Sequence, residues 1–292
     1  MLDTSFLPGI DFQAPFYTVI TLPNNNTITI KRLDVIHRII SGNKLFKLHY
    51  YLKDFFASTK TTLLTFGGAY SNHVLAVSEI GALQNIPVVA IIRGEKISNP
   101  VLDYCERQGT ELVFWNRKDY REKDKNIQYV QECYPTSYII PEGGTGALGI
   151  KGAMDIITQE ETQKYDFIAC AVGTGTMASG ILSTMQNNEQ NKAILWAIPV
   201  LKDATIMDTF LEINPTAPIQ LYHEYHGGGY GKTNQELDLF QQKILQKYQL
   251  PLDTVYTNKL LYAVLDILQK ENIANKDILV IHSGGLWKEV LN

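Results

Sequence analysis

The sequence predicts an α/β protein with two domains, each built on a parallel sheet that is flanked by helices. Strand-like runs alternate with helical stretches of ten or more residues, which is the pattern of parallel βαβ units. Strands such as "ILVI" (278–281) are continuously apolar, as in sheets that are covered on both faces. The units fall into two groups along the chain. We therefore expect a small domain over residues 51–145 and a large domain formed by residues 1–50 and 146–292.

The first group of elements ends near residue 144. "TITIKRLD" alternates as a half-buried strand does, and "TTLLTF" is a β-branched and apolar run that stops at Gly67-Gly68. A further helix has Pro100 in its first turn and Gly109 after its end. The predicted strands are 27–34, 61–66, 87–92, 110–115 and 137–144, and the predicted helices are 72–84, 99–109 and 117–133.

The second group repeats this alternation. "DFIACAVGTGTMASGIL" (166–182) indicates a strand, a glycine turn and a helix, and "DILVIHSGG" (277–285) indicates a last strand that runs into a glycine turn. The remaining elements are a strand over 193–200 and helices over 149–165, 238–250 and 258–270.

Composition excludes several classes of partner and compartment. Lys plus Arg is 26 and Asp plus Glu is 30, and the net charge of −4 argues against a nucleic-acid or anionic-membrane surface. Cys105, Cys133 and Cys170 form no CxxC pair, and we expect packed thiols in a reducing compartment. No signal-like segment is apparent, and no apolar run reaches the roughly 20 residues of a membrane span. These features predict a cytoplasmic protein.

Four glycine-rich turns follow predicted strands, and ligands of open α/β sheets bind at such strand ends. In "GTGTM" (173–177), a turn between strand and helix directs backbone N–H groups at a phosphate. The turn lacks the Walker A lysine and the G-x-G-x-x-G spacing, so a single monophosphate is the simpler ligand. A tight turn that needs glycine for steric reasons explains this motif alone equally well. In "GGAYSNH" (67–73), Ser71 or Asn72 can cap a helix whose exposed amides suit a carboxylate, although a capped turn without ligand is the commoner case.

Two lysines in "SGNKLFKLHYYL" (41–52) raise a question of charge. If a helix starts here, Lys44 and Lys47 share one face. A bound anion, or a covalent bond between one amine and an aldehyde, would relieve their repulsion. A solvated basic edge is the alternative that two lysines alone favour.

Other motifs give weaker indications. The histidines of "HEYH" (223–226) are three residues apart, which excludes the H-E-x-x-H zinc motif, and no G-x-S-x-G elbow is present. His37, His49 and His73 have no ligand partners at metal spacing and are typical of surface or core histidines. We predict no metal site.

Taken together, seven stretches resemble one family, the pyridoxal-phosphate enzymes of fold type II, which is the tryptophan synthase β group. The stretches are "SGNKLFKL", "GGAYSNH", "GGTGALGIKG", "GTGTM", "GGGYG", "TVYTNK" and "HSGG", in the order of the family. The chain is most similar to the branch that contains 1-aminocyclopropane-1-carboxylate deaminase and D-cysteine desulfhydrase. The resemblance implies a tryptophan synthase β-like fold, pyridoxal 5'-phosphate held by the large domain, and a homodimer.

The resemblance also implies contacts to the cofactor. Lys44 would form the Schiff base with the cofactor aldehyde, and Lys47 would pair with the cofactor phosphate. Asn72 would bond the pyridine hydroxyl, Thr257 would face the pyridine nitrogen, and Ser283 would also contact the cofactor. The residues that would cup the phosphate are Gly173, Thr174, Gly175 and Thr176.

The implied substrate contacts come from three further segments. Ser71 would lie beside the substrate Cα, and Asn72, His73 and nearby amides would bind the α-carboxylate. Tyr230 and Tyr256 would relay protons or orient the amine. With Lys44 as the base, these residues form the expected catalytic set.

Two positions bear on the substrate. The cyclopropane-opening deaminases typically have glutamate where this chain has Thr257, and leucine where it has Ser283; the desulfhydrases have threonine at the second position. The resemblance therefore implies α,β-elimination on a small amino acid such as D-cysteine, which gives pyruvate, ammonia and sulfide. The alternatives are deamination of 1-aminocyclopropane-1-carboxylate and binding of the cofactor or an amino acid without turnover.

Overall fold

Two β-sheets organise the chain in the computed structural model, which describes residues 3–202, 218–287 and 291. The strands are β1 (Phe16–Thr21), β2 (Thr27–Arg32), β3 (Thr62–Gly68), β4 (Val88–Arg93), β5 (Glu111–Trp115), β6 (Ser137–Ile140), β7 (Phe167–Val172), β8 (Ile194–Pro199), β9 (Ile219–Leu221) and β10 (Asp277–His282). The larger sheet has the order β1-β2-β10-β7-β8-β9, and the smaller has the order β5-β4-β3-β6. Strand β1 is antiparallel to β2, and the other pairs are parallel.

Helices connect these strands, as the alternating pattern predicts. They are α1 (Asn43–Ala57), α2 (Asn72–Gln84), α3 (Pro100–Arg107), α4 (Arg117–Arg121), α5 (Ile127–Cys133), α6 (Ala147–Ala153), α7 (Gln159–Lys164), α8 (Thr176–Gln186), α9 (Gln235–Tyr248) and α10 (Thr257–Lys270). Among the described residues, no helix combines the length and the apolar character that a bilayer crossing requires.

The larger sheet is covered on both faces, and this confirms the interpretation of its continuously apolar strands. Leu279 and Ile281 of β10 lie in a core cluster with residues of α1, α2 and α8. The alternate residues Ile278 and Val280 lie in a second cluster with residues of α10. The first cluster also includes Leu63 of β3, so it joins the two sheets through α1 and α2.

The domain boundaries near residues 50 and 145 stay a prediction. The smaller sheet takes all its strands from residues 62–140, and the larger sheet takes its strands from the segments before and after that range. Helix α1 contributes residues to the core cluster that joins both sheets.

Two predicted helices are wrong in their extent. The helix over 117–133 is divided into α4 and α5, because residues 121–126 are polar or charged and offer no apolar side chain to the core. The helix over 149–165 ends at Ala153, and α7 starts anew after Thr158, whose side chain forms a capping box with Glu161.

Two further differences from the sequence-based expectations concern the edge strands of the larger sheet and the exposure of one cysteine. The sequence analysis missed β1 and β9, which are the two edge strands of the larger sheet. Cys105 and Cys170 are buried as expected, but Cys133 is exposed, so the expectation of three packed thiols is wrong for that residue.

Candidate active site

The carboxyl ends of strands from both sheets meet at one cavity of about 430 Å³. Its lining includes Gly68 and Arg93, which end β3 and β4, Val172, which ends β7, and Ser283, which follows β10. All four glycine turns that the sequence singled out contribute residues to this lining. The rule that ligands bind at such strand ends therefore locates the cavity correctly.

Most of the predicted site residues line this cavity. They are Lys44, Lys47, Ser71, Asn72, His73, Gly173, Thr174, Gly175, Tyr230, Tyr256 and Ser283. Thr176 and Thr257 are not among the lining residues. The role of each residue toward a ligand stays a prediction.

Lys44 and Lys47 lie on the first turns of α1, which begins at Asn43 as the sequence suggested. Lys44 Nζ donates to Asn43 Oδ1 at 2.9 Å, and Lys47 Nζ donates to the carbonyl oxygen of Gly143 at 3.2 Å. Burial lowers the pKa of Lys44 to about 8, with Asp253 opposing the shift. Burial, together with the charge of Lys44, lowers the pKa of Lys47 well below its usual value. The two amines therefore favour a bound anion or a covalent partner.

The lowered pKa of Lys44 predicts how its reactivity depends on pH. Only the unprotonated amine attacks an aldehyde, so the protein stripped of cofactor should take up pyridoxal phosphate faster as the pH rises, through a midpoint of about pH 8. Stopped-flow measurement of the visible band against pH tests this. A midpoint at the ordinary lysine value of 10.5 would contradict it.

The turn before α2 presents Ser71 and the first amides of the helix to the cavity. Ser71 Oγ accepts from the Val74 N–H at 3.2 Å, which confirms that this residue can cap the helix. Because Oγ is the acceptor in this bond, its own O–H can still donate to a ligand. The N–H groups of the first helical turn have no partner within the helix, and the helix dipole favours an anion there.

His73 is both a buried residue and a lining residue, with 1% of its surface exposed. The hydroxyl of Thr65 donates to the carbonyl oxygen of Ile140 at 2.9 Å, so its oxygen accepts from His73 Nε2 at 2.8 Å. Burial and the two lysines lower the pKa of His73 well below its usual value. The imidazole ring of His73 is therefore neutral, and its Nδ1 is an acceptor. Only the backbone N–H of His73 could then donate a hydrogen bond to a carboxylate.

The turn before α8 has the geometry of an anion site. Gly175 has φ = +82°, and the helix starts at Thr176, whose Oγ1 lies 3.1 Å from Thr174 Oγ1. A Cβ at Gly143, whose carbonyl binds Lys47, would contact the Thr174 methyl group at 3.7 Å. The Lys47 amine and the amides of this turn therefore border the same part of the cavity.

Tyr230 and Tyr256 form one aromatic pair at the cavity. Their ring centroids are 6.1 Å apart at an interplanar angle of 73°. A Cβ at Gly173 would lie 3.3 Å from the Tyr256 ring, so that ring packs on the glycine turn. Burial, and after it the neighbouring Tyr230, raises the pKa of Tyr256 well above its usual value. Tyr256 therefore acts as a hydrogen-bond donor at neutral pH.

Asp253 is the main residue that the sequence analysis missed. Its carboxylate accepts from the N–H groups of Val255, Tyr256 and Thr257, at 2.8–2.9 Å. The Thr257 hydroxyl donates to the same carboxylate at 2.7 Å and accepts from the Asp253 N–H at 2.8 Å. Thr257 is thus occupied at the start of α10, whereas the Ser283 side of the cavity remains open to a ligand.

Arg93 and Asn43 also line the cavity without having been predicted. The position of Arg93 at the carboxyl end of β4, beside β3, could have indicated it by the same rule that singled out the glycine turns.

The cavity fits a flat phosphorylated aldehyde. It combines a nucleophilic amine at Lys44, an anion site at the α8 turn with Lys47, and a hydroxyl at Ser283 on the β10 side. Gly42 packs against the backbone of Ser283. The start of α1, which carries Lys44, therefore directly contacts the segment that carries the Ser283 hydroxyl.

Comparisons with known proteins agree with this fit. A family model described as pyridoxal-phosphate dependent enzyme matches residues 13–284. A Pyrococcus furiosus protein, provisionally named a 1-aminocyclopropane-1-carboxylate deaminase, is 30% identical, and the match covers 89% of this chain and 84% of that protein. The D-cysteine desulfhydrase of Klebsiella pneumoniae (strain 342) is 28% identical, over 88% of this chain and 86% of the relative. The crystal structure of an ACC deaminase homologue has a TM-score of 0.79 at 22% identity, covers 98% of this chain and 97% of its own, and shows the same fold.

Proposed function

The chain belongs to the pyridoxal-phosphate-dependent enzymes, and on this premise we propose that it eliminates the β-substituent of a small amino acid, with D-cysteine as the favoured substrate. The observation that carries the proposal is the convergence of Lys44, Ser71 and the Tyr230–Tyr256 pair on one cavity. A protein that only binds the cofactor would have no need of all these groups.

Different residues of the cavity would have different roles in such an elimination. The cofactor, when bound, supplies the electron sink that makes the substrate Cα proton removable. The Lys44 amine takes that proton, because its lowered pKa leaves part of it unprotonated at neutral pH. Ser71 and the first amides of α2 hold the α-carboxylate. Tyr256, which keeps its proton, donates a hydrogen bond to the departing sulfur.

Two positions favour elimination over opening of a cyclopropane ring. The chain has Thr257 and Ser283 where the resemblance expects glutamate and leucine in deaminases of that kind. The nearby Asp253 carboxylate already accepts four hydrogen bonds, three from backbone N–H groups and one from Thr257. Without a free carboxylate to bind the pyridine nitrogen, the bound cofactor ring would be a weaker electron sink. That suits a substrate with a good leaving group. A homodimer and a cytoplasmic location are proposed on the resemblance and the composition.

We expect the holoenzyme to release pyruvate, ammonia and sulfide in equal amounts from D-cysteine and water. Assays of pyruvate and sulfide across D-cysteine, L-cysteine, D-serine and β-chloro-D-alanine, with 2-oxobutyrate measured from 1-aminocyclopropane-1-carboxylate, test this. Production of 2-oxobutyrate without pyruvate from D-cysteine would establish the deaminase alternative. No turnover across a broad panel of D- and L-amino acids would point to a binding protein.

A further inference from the structure

Lys259 of α10 is a buried lysine whose amine is bound by two backbone carbonyls. Its side chain is 0% exposed, and Nζ donates to the carbonyl oxygens of His226 and Gly229, both at 2.8 Å. Within residues 3–202, 218–287 and 291, no ion pair includes it. Burying a lysine amine is costly unless its donors are satisfied, and these two carbonyls satisfy two of them.

The two carbonyls bracket a turn whose own hydrogen bonds are local, since the N–H groups of Gly228 and Gly229 both donate to His226. Gly227, Gly228 and Gly229 have φ values of +60°, +93° and +114°. Glycine adopts positive φ values without steric strain, but a run of three glycines leaves the backbone free to adopt many conformations. A Cβ at Gly227 would lie 3.0 Å from Lys259 Cε, so the turn packs directly on the lysine stem.

This turn delivers a tyrosine to the cavity. Tyr230 follows Gly229 directly, is 52% exposed, and still lines the cavity beside Tyr256. Tyr256 is the N-cap residue at the start of α10, and it precedes Lys259 by three residues, about one helical turn. A single helical turn therefore carries one tyrosine of the pair and the anchor of the other.

We propose that Lys259 is a positioning residue, whose amine clamps the carbonyls on both sides of the glycine turn and so holds Tyr230 against Tyr256 at the mouth of the cavity. The assignment of the tyrosine pair to the substrate rests on the proposed function; the clamp itself does not. Burial lowers the pKa of Lys259, with Asp253 opposing, but both the charged and the neutral amine have enough N–H groups for two carbonyls.

Hydrogen exchange of the holoenzyme tests the clamp without any substrate. The Gly229 N–H donates to the His226 carbonyl at 3.1 Å, and the Lys232 N–H donates to the Gly229 carbonyl at 3.2 Å. Lys259→Met keeps the length of the side chain and removes its donors. We expect exchange in segment 226–232 to accelerate about tenfold or more, because the segment loses two hydrogen bonds to the lysine amine. Lys243→Met, at an exposed lysine of α9, is the control and should leave the segment unchanged.

A double-mutant cycle tests whether Lys259 acts through Tyr230. With an amino acid that the holoenzyme turns over, Lys259→Met and Tyr230→Phe should each lower kcat by a factor on the order of ten to a hundred, and the double variant should be no slower than the slower single variant. Factors that multiply, or a slow Lys259→Met beside a fully active Tyr230→Phe, would overturn the positioning role.

The hydrogen-exchange measurement tests the clamp even if no amino acid is turned over. Failure of the proposed function is therefore distinguishable from failure of the clamp. If Lys259→Met is insoluble, Lys259→Gln keeps one amide donor and should show exchange between wild type and the fully released turn. Exchange at the wild-type rate in segment 226–232 of either variant overturns the proposal.

Discussion

Lys44→Ala is expected to remove both the visible absorption of the bound cofactor and turnover, with kcat reduced by at least about a thousandfold. The amine lies at the start of α1, lines the cavity, and has its pKa lowered to about 8. It is therefore the group that can bond covalently to the cofactor aldehyde at neutral pH and the group that can then take the substrate proton. Alanine supplies neither function, while the helix remains favourable for it.

The measurement compares absorption spectra after incubation with pyridoxal phosphate and removal of the excess. Lys53→Ala is the matched control, because Lys53 lies on the same helix, is 41% exposed and pairs with the exposed Asp3. The control should keep the band and the activity. An unchanged band in Lys44→Ala would show that the covalent bond forms at another amine, and the assignment of the site would have to be abandoned.

Much of the site was predictable because its residues carry local signals. Ser71 is a polar residue just before a helix, and its side chain caps that helix. Gly175 lies where a strand turns into a helix, and its positive φ satisfies what that turn requires. Parallel strands then bring turns that are 100 residues or more apart in sequence to one edge, which the alternation of strands and helices already implies.

The parts that could not be predicted depend on contacts between distant segments. Asp253 looks like an ordinary loop carboxylate in the sequence, yet its bonds to residues 255–257 occupy Thr257 and fix the start of α10. Lys259 looks like a helix-surface lysine, and only the return of the glycine turn over α10 buries it. The break before α7 is different in kind, because the Thr158–Glu161 capping box was present in the sequence and outweighed the helical spacing around it.

Gly42→Ala is expected to lower the free energy of unfolding by at least about 3 kcal/mol and to weaken cofactor binding. Gly42 has φ = +64° and ψ = −145°, a combination that is essentially restricted to glycine. A Cβ built there would lie 1.8 Å from the Ser283 carbonyl oxygen and 2.7 Å from the Gly284 nitrogen. Those atoms belong to the backbone, so no side-chain rotation can relieve the overlap.

Gly42→Ala should also disturb the cavity, because the contact between Gly42 and Ser283 joins its two sides. Asn43 N–H, at the start of α1, donates to the same Ser283 carbonyl at 3.2 Å. Forcing the segments apart therefore moves Lys44 on one side away from Ser283 on the other, and the two would no longer reach one ligand together.

Gly109→Ala provides a control for a positive φ without steric overlap. Gly109 has φ = +84°, and nothing lies within 4 Å of a Cβ placed there, so this substitution should cost about 1 kcal/mol. Urea unfolding of both variants, each stripped of cofactor so that binding does not add to stability, shows how much more Gly42→Ala costs than alanine at a positive-φ glycine with open space. If the two substitutions cost the same, the close approach of Gly42 to Ser283 does not hold the cavity together. If Gly42→Ala is worse by about 2 kcal/mol or more and also binds the cofactor less tightly, the amine and the hydroxyl owe their relative position to this one glycine.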